Sequence, residues 1–169
     1  MKRICVIDGQ GGGIGSAVIR RLKELFEETV EIIALGTNAI ATAQMLKARA
    51  NRGASGENAI VQTTKKADII IGPLGIVIAN AMMGEVTPRM AEAVADSPAR
   101  KLLIPLTQEK VRIVGTTGEP LPHLVNQVVQ MIKEKNPNVK IMLGGAPVTS
   151  DVANLFGADG YAKSAGNAV

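Results

Sequence analysis

Short apolar runs alternate with longer amphipathic stretches along most of this chain. Ile4-Cys5-Val6-Ile7 predicts a first strand over residues 3–8. Ile14, Val18, Leu22, Leu25 and Phe26 then recur near helical spacing and predict a helix over 14–27. Residues 31–35 read as a second strand, and Gly36-Thr37-Asn38 gives a turn and a cap for a helix over 39–50. Residues 48–57 read as a mobile loop, and Ala59-Ile60-Val61 as a short extra strand. Residues 68–71 form the third main strand, followed by the turn Gly72-Pro73-Leu74-Gly75 and an apolar helix over 76–83. Gly84 and Pro88 break that helix, and a second piece runs over 87–95. Residues 102–106 are a fourth strand, and 111–114 could pair with it as a hairpin. A helix over 123–135, a strand over 139–143, a short helix over 150–156 and a last strand near Tyr161 complete the pattern.

Strands alternating with helices imply one three-layer α/β domain over residues 1–169, with a mostly parallel sheet of the flavodoxin-like or Rossmann-like class. Ligands on such sheets sit at the carboxyl ends of the strands. Those ends offer Asp8 and Gly9, Gly36 to Asn38, Gly72 to Gly75, Thr107, and Gly144-Gly145. Four of the five carry glycine, which lets a ligand approach the backbone closely.

The densest of these ends is Asp8-Gly9-Gln10-Gly11-Gly12-Gly13-Ile14-Gly15, between a strand and a helix. Unpaired N–H groups and the positive dipole end of that helix point at the same place. A phosphate is the anion that such a loop suits. The strict G-x-G-x-x-G pattern is absent, since Ile14 or Ser16 stands where its third glycine belongs. The looser G-x-x-x-G-x-G is met by Gly9, Gly13 and Gly15 and resembles the loop of short-chain dehydrogenases. The candidate ligand-binding residues are therefore Asp8, Gly9, Gln10, Gly11, Gly12, Gly13, Gly15, Thr37, Asn38, Gly72 and Gly75. Asp8 reads first as an acceptor that braces the glycine loop.

Composition narrows the classes. Aromatics make up 2% of the chain, so the core is aliphatic and stacking platforms for single-stranded nucleic acid are missing. A net charge of +4 is spread along the chain, which fits a small anionic ligand better than nucleic acid. The single cysteine, Cys5, lies inside the first strand, reads as a core residue, and fits a reducing cytoplasm. No apolar run approaches the length of a membrane span. An uncovered strand edge near 102–114 would make a homodimer plausible.

Catalytic constellations are lacking. Tyr161 has Ala165 four residues on, so the Tyr-x-x-x-Lys pair of short-chain dehydrogenases is missing. Residues 34–38 lack the acid that would hold an adenosine ribose. There is no Walker lysine and no cysteine–histidine cluster for zinc. The one histidine, His123, reads as a surface or capping residue. Glu57, Glu85 and Glu109 read as surface, and Met82-Met83 as core filler.

Two family resemblances divide the chain. Residues 1 to about 125 resemble an uncharacterised bacterial domain-of-unknown-function family. The matching text is Ile7 to Gly15, Ala34-Leu35-Gly36-Thr37-Asn38-Ala39, Gly72 to Gly75, and Met82-Met83-Gly84-Glu85-Val86-Thr87-Pro88. From about 121 to 169 the chain resembles the last third of the cobalamin-binding, flavodoxin-like domain of corrinoid methyltransfer proteins, through residues 139–149 and Gly157-Ala158-Asp159-Gly160-Tyr161-Ala162. That resemblance implies that Gly144 and Gly145 lie against a cofactor's nucleotide tail. The corrinoid pattern Asp-x-His-x-x-Gly has the spacing of residues 8–13, but Gln10 stands in the place of the cobalt-ligating histidine. Glutamine has no imidazole nitrogen, which argues against histidine-ligated cobalamin.

The expectation is a non-catalytic binding fold for a phosphate-bearing small molecule, nucleotide-like or corrinoid-like. The alternatives are a natural fusion or deliberate recombination joined near 121–135 with no ligand, and an enzyme of unnamed chemistry.

Overall fold

The structure, a computed structural model, describes residues 1–106, 110–134, 142–144 and 160–162. Strands β1 (Lys2–Asp8), β2 (Val30–Gly36), β3 (Arg52–Ser55), β4 (Ile69–Pro73) and β5 (Arg100–Ile104) form one sheet in the order β3-β2-β1-β4-β5. Every pair in it is parallel. Helices α1 (Gly13–Phe26), α2 (Ala39–Lys47), α3 (Glu57–Thr64) and α4 (Pro88–Asp96) connect successive strands, and α5 (Leu121–Glu134) follows β5. The short strands β6 (Met142–Gly144) and β7 (Gly160–Ala162) pair in parallel with each other.

The period-two alternation of the central strands sends residues to two cores. Ile4, Val6, Ile32, Ala34, Ile69, Ile71, Leu102 and Ile104 pack with α1, α2 and α5 on one face. Cys5, Ile7, Ile33, Leu35 and Ile70 pack with α3 and α4 on the other. A parallel sheet covered on both faces explains why its strands read as nearly continuous apolar runs. The result is the three-layer α/β class expected from the pattern. The strand order is that of the doubly wound dinucleotide-binding folds. Without the edge strand β3, the remaining four run as in flavodoxin. The order reverses between β1 and β4, where ligands of this class enter.

Four local expectations are corrected. Residues 52–55 are a strand, not loop: Arg52-Gly53-Ala54-Ser55 pairs with residues 33–36 of β2 despite lacking an apolar run. Residues 59–61 lie in helix α3, started after Gly56 at φ 89, because Ile60, Val61 and Thr64 bury one helical face. The apolar stretch 76–83 is not a helix. A 3-10 turn, Leu74–Val77, gives way to a turn-rich segment in which Asn80, Met82 and Met83 adopt φ of 66, 56 and 59. Residues 111–114 form no strand, so no hairpin with β5 exists, and Val111, Ile113 and Val114 are exposed. The expected helix over 150–156, the strand start at 139–141, and residues Thr107, Glu109 and Gly145 lie outside the described residues.

Candidate functional site

The site is built where β1 and β2 end side by side, with Asp8 in register with Gly36, and Gly36 with Ser55. Asp8 is 4% exposed. Its Oδ1 accepts the Gly9 N–H at 2.8 Å, and its Oδ2 accepts the Gly15 N–H at 2.7 Å. The carboxylate thus caps the N-terminus of α1 from within the chain, where positive dipole and free N–H groups favour a negative charge. Burial still dominates and raises the Asp8 pKa above its ordinary 3.8. The N–H groups of Gly15, Gly9 and Ile14 oppose that shift, and the nearby Glu85 charge adds to it.

The loop's glycines divide into two groups. A Cβ on Gly9 would lie 2.5 Å from Met82 Sδ and 2.6 Å from Thr37 Oγ1. One on Gly15 would lie 2.5 Å from Met45 Sδ and 3.0 Å from Asp8 Cβ, so this glycine lets α1 pack closely on β1 and α2. Gly12 has φ 68, and a Cβ there would meet the Ala41 carbonyl oxygen at 2.8 Å. Gly11 and Gly13 differ: both are exposed, and nothing lies within 4 Å of a Cβ on either. Among the described residues none accepts a hydrogen bond from the Gly11 or Gly13 N–H, while the N–H groups of Gly9, Gln10, Gly12 and Gly15 already have protein acceptors.

Beside this loop stand Thr37 and Asn38, both half-buried. Asn38 caps α2 by accepting the Ala41 N–H at 2.8 Å, and its Nδ2 donates to the Gln10 carbonyl at 3.1 Å. Three donors then converge on one oxygen, Glu85 Oε2. They are Thr37 Oγ1 at 2.5 Å, Asn38 Nδ2 at 2.8 Å and the Gln10 N–H at 2.9 Å. Burial alone would raise the Glu85 pKa. The Thr37 hydroxyl, Gln10 N–H and Asn38 amide overcome it and hold the carboxyl below its ordinary 4.5.

Glu85 is therefore not the solvated surface residue that the sequence suggested. It is half-buried at the centre of a polar cluster, 75 positions from Gln10. The sequence marks it only as a single acid after a glycine, which does not reveal that role. Met82 packs over Gly9 and beside Gly75, whereas Met83, expected in the core, is 95% exposed. Gly72 allows β4 to approach β1, since a Cβ there would lie 2.5 Å from the Ile7 carbonyl oxygen. Gly144 ends β6. His123 forms a pair with Glu119 at 3.5 Å and is two-thirds exposed at 66%. Among the described residues, no group of three His, Cys, Asp or Glu side chains could hold a metal ion. No described helix is long and apolar enough to cross a membrane.

Fold and site together define a doubly wound α/β domain with a glycine loop and a polar cluster at its strand ends. Residues 3–137 match the model of a family described as a domain of unknown function (DUF3842), and the chain belongs to that family. The matched stretch runs through α5. The chain is also 30% identical to the dimethylamine corrinoid protein of Methanosarcina barkeri over 123 residues, which are 69% of this chain and 57% of that protein. It is 36% identical to the trimethylamine corrinoid protein of the same organism over 78 residues, covering 44% of this chain and 36% of that protein. The chain thus spans about half the length, or less, of these curated relatives. Among solved structures, a dodecameric FMN-dependent UbiX-like decarboxylase from Escherichia coli O157:H7 aligns with a TM-score of 0.44 and 18% identity, over 80% of this chain and 93% of that one.

Proposed function

We propose that this protein is a non-catalytic binding domain for a phosphate-bearing small molecule, held at the carboxyl ends of β1 and β2. The observation that carries the reading is the pair of exposed glycines at the start of α1, Gly11 and Gly13, whose N–H groups have no acceptor among the described residues and whose Cβ positions are open. They adjoin the place where the strand order reverses. Thr37 and Asn38 stand beside the loop, bonded to Glu85 and the Gln10 carbonyl, and border the place where the rest of the ligand would lie. In this reading residues 1–169 act as one domain.

Relatives named as corrinoid proteins support a nucleotide-tailed ligand of this general kind. The residues do not fit cobalt ligation by histidine from the β1 loop, because Gln10 occupies that loop and His123 belongs to α5. A corrinoid would have to be held here through its phosphate and nucleotide tail.

The test is a thermal-shift screen of the purified protein against nucleotides, dinucleotides, flavins and cobalamins. A ligand that binds only the folded state raises the melting temperature with dose. Gly13→Val puts a branched side chain where a Cβ has no protein atom within 4 Å. We expect it to leave the melt cooperative and abolish the shift. A shift that survives Gly13→Val overturns the loop assignment, and no shift with any compound overturns the reading.

A further inference from the structure

The three donors that meet Glu85 Oε2 come from different elements: Thr37 from the end of β2, Asn38 from the cap of α2, and Gln10 from the β1 loop. They form a cradle for one anionic oxygen next to Gly11, and the chain's own carboxylate fills it. Glu85 arrives on the segment 78–86, which lies over Gly9 through Met82. That segment is held at its base by buried Ala81 and Val86 and by the Asn80 N–H to Val86 carbonyl bond of 2.7 Å. Within this segment Asn80, Met82 and Met83 all adopt positive φ, which asparagine tolerates and methionine rarely takes. Its tip, Met83, is 95% exposed to solvent. A strained segment with an exposed apolar tip, closed over the strand ends by one carboxylate, is suited to having a second position.

We propose that Glu85 stands in for a phosphate oxygen of the ligand, and that segment 78–86 is a strap which a bound phosphate group displaces. The proposal rests on the reading of a phosphate-bearing ligand given above and adds what that ligand must compete with. Phosphate and the Glu85 carboxylate carry like charge and need the same three donors, so they exclude each other. Displacement frees Met82 from Gly9 and opens the end of β1. Removing the carboxylate removes the competitor.

Two experiments on the full chain decide it, with inorganic phosphate and pyrophosphate as probes. In the first, calorimetric titration compares the wild type with Glu85→Ala and with Glu85→Ala carrying Thr37→Val. We expect Glu85→Ala to bind about tenfold more tightly or better, a difference of about 1.4 kcal/mol, and Thr37→Val to cancel the gain. A folded Glu85→Ala that binds no better than wild type overturns the proposal, as does a gain that survives Thr37→Val. In the second, amide hydrogen exchange of the wild type is followed with and without saturating probe, which decides the matter even if Glu85→Ala does not fold. We expect faster exchange at Asn80, Gly84, Glu85 and Val86 together with protection at Gly11 and Gly13. Protection at the glycines with an unchanged strap overturns the proposal and leaves the phosphate loop standing. No protection at either place overturns both.

Discussion

Asp8 Oδ2 accepts the Gly15 N–H at 2.7 Å, across the whole glycine loop. The anion nearest the start of α1 is thus the protein's own, and the loop's shape depends on it. Asp8→Ala strands the N–H groups of Gly9 and Gly15 in a buried setting. Each unsatisfied group costs about 1–3 kcal/mol, so a loss of about 3 kcal/mol is expected in urea unfolding. Asp8→Asn restores one acceptor and sets an NH2 against the other N–H, and should fall between. An Asp8→Ala midpoint equal to wild type would show that the loop holds itself.

The glycines offer a sharper contrast because identical substitutions at Gly12, Gly13 and Gly15 should act differently. Gly13→Ala meets nothing and lies in the helix, so it should be neutral or stabilising by about 0.4–1 kcal/mol. Gly15→Ala drives a methyl into Met45 and Asp8, and Gly12→Ala drives one into the Ala41 backbone at positive φ. Overpacking of this kind costs about 1–3 kcal/mol. Melting temperatures of the three variants check it, and equal values would mean that the loop is not packed in this way.

Cys5 should be inert in the native state. It is wholly buried in the middle of β1, and burial pushes its thiol up to about 12. The thiolate is the reactive form. An aromatic disulfide reagent at neutral pH should therefore modify the protein only at the rate of unfolding and react fully in denaturant. Rapid modification of the native protein would contradict the burial of β1.

What the sequence made legible follows from how strongly each element is buried. β1, β2 and β4 are apolar on both faces, so Ile4 to Ile7, Ile32 to Leu35 and Ile69 to Ile71 announced themselves. β3 did not, because Arg52-Gly53-Ala54-Ser55 is an edge strand held by pairing with β2 rather than by its side chains. Ala59-Ile60-Val61 is too short and too β-branched for its period to distinguish strand from helix. The apolar stretch after Gly75 suggested a helix, and local propensity gave no warning of three left-handed residues there. The bracing role of Asp8 could be read from its place before the glycines. The role of Glu85 could not, since it depends on contacts spanning 47 to 75 positions.

The two carboxylates at the strand ends should respond to pH in opposite directions. Glu85 is held below its ordinary 4.5 in the folded chain, the burial cost being outweighed by three hydrogen bonds. Its contribution to stability is complete above 4.5 and is lost as the pH falls through the lowered folded value. Asp8 is raised above its ordinary 3.8, chiefly by burial. Its contribution is complete below 3.8 and is lost as the pH rises through the raised folded value. Glu31 and Glu28 are also lowered, by their hydrogen bonds to Arg3 and Lys23, but they are common to every variant and cancel in differences. Urea midpoints measured from neutral pH to below 4.5 should therefore diverge. The advantage of wild type over Glu85→Gln should shrink on acidification, and its advantage over Asp8→Asn should grow. Parallel trends for the two variants would mean that Asp8 and Glu85 do not occupy the contrasting environments of a buried brace and a donor-filled cradle.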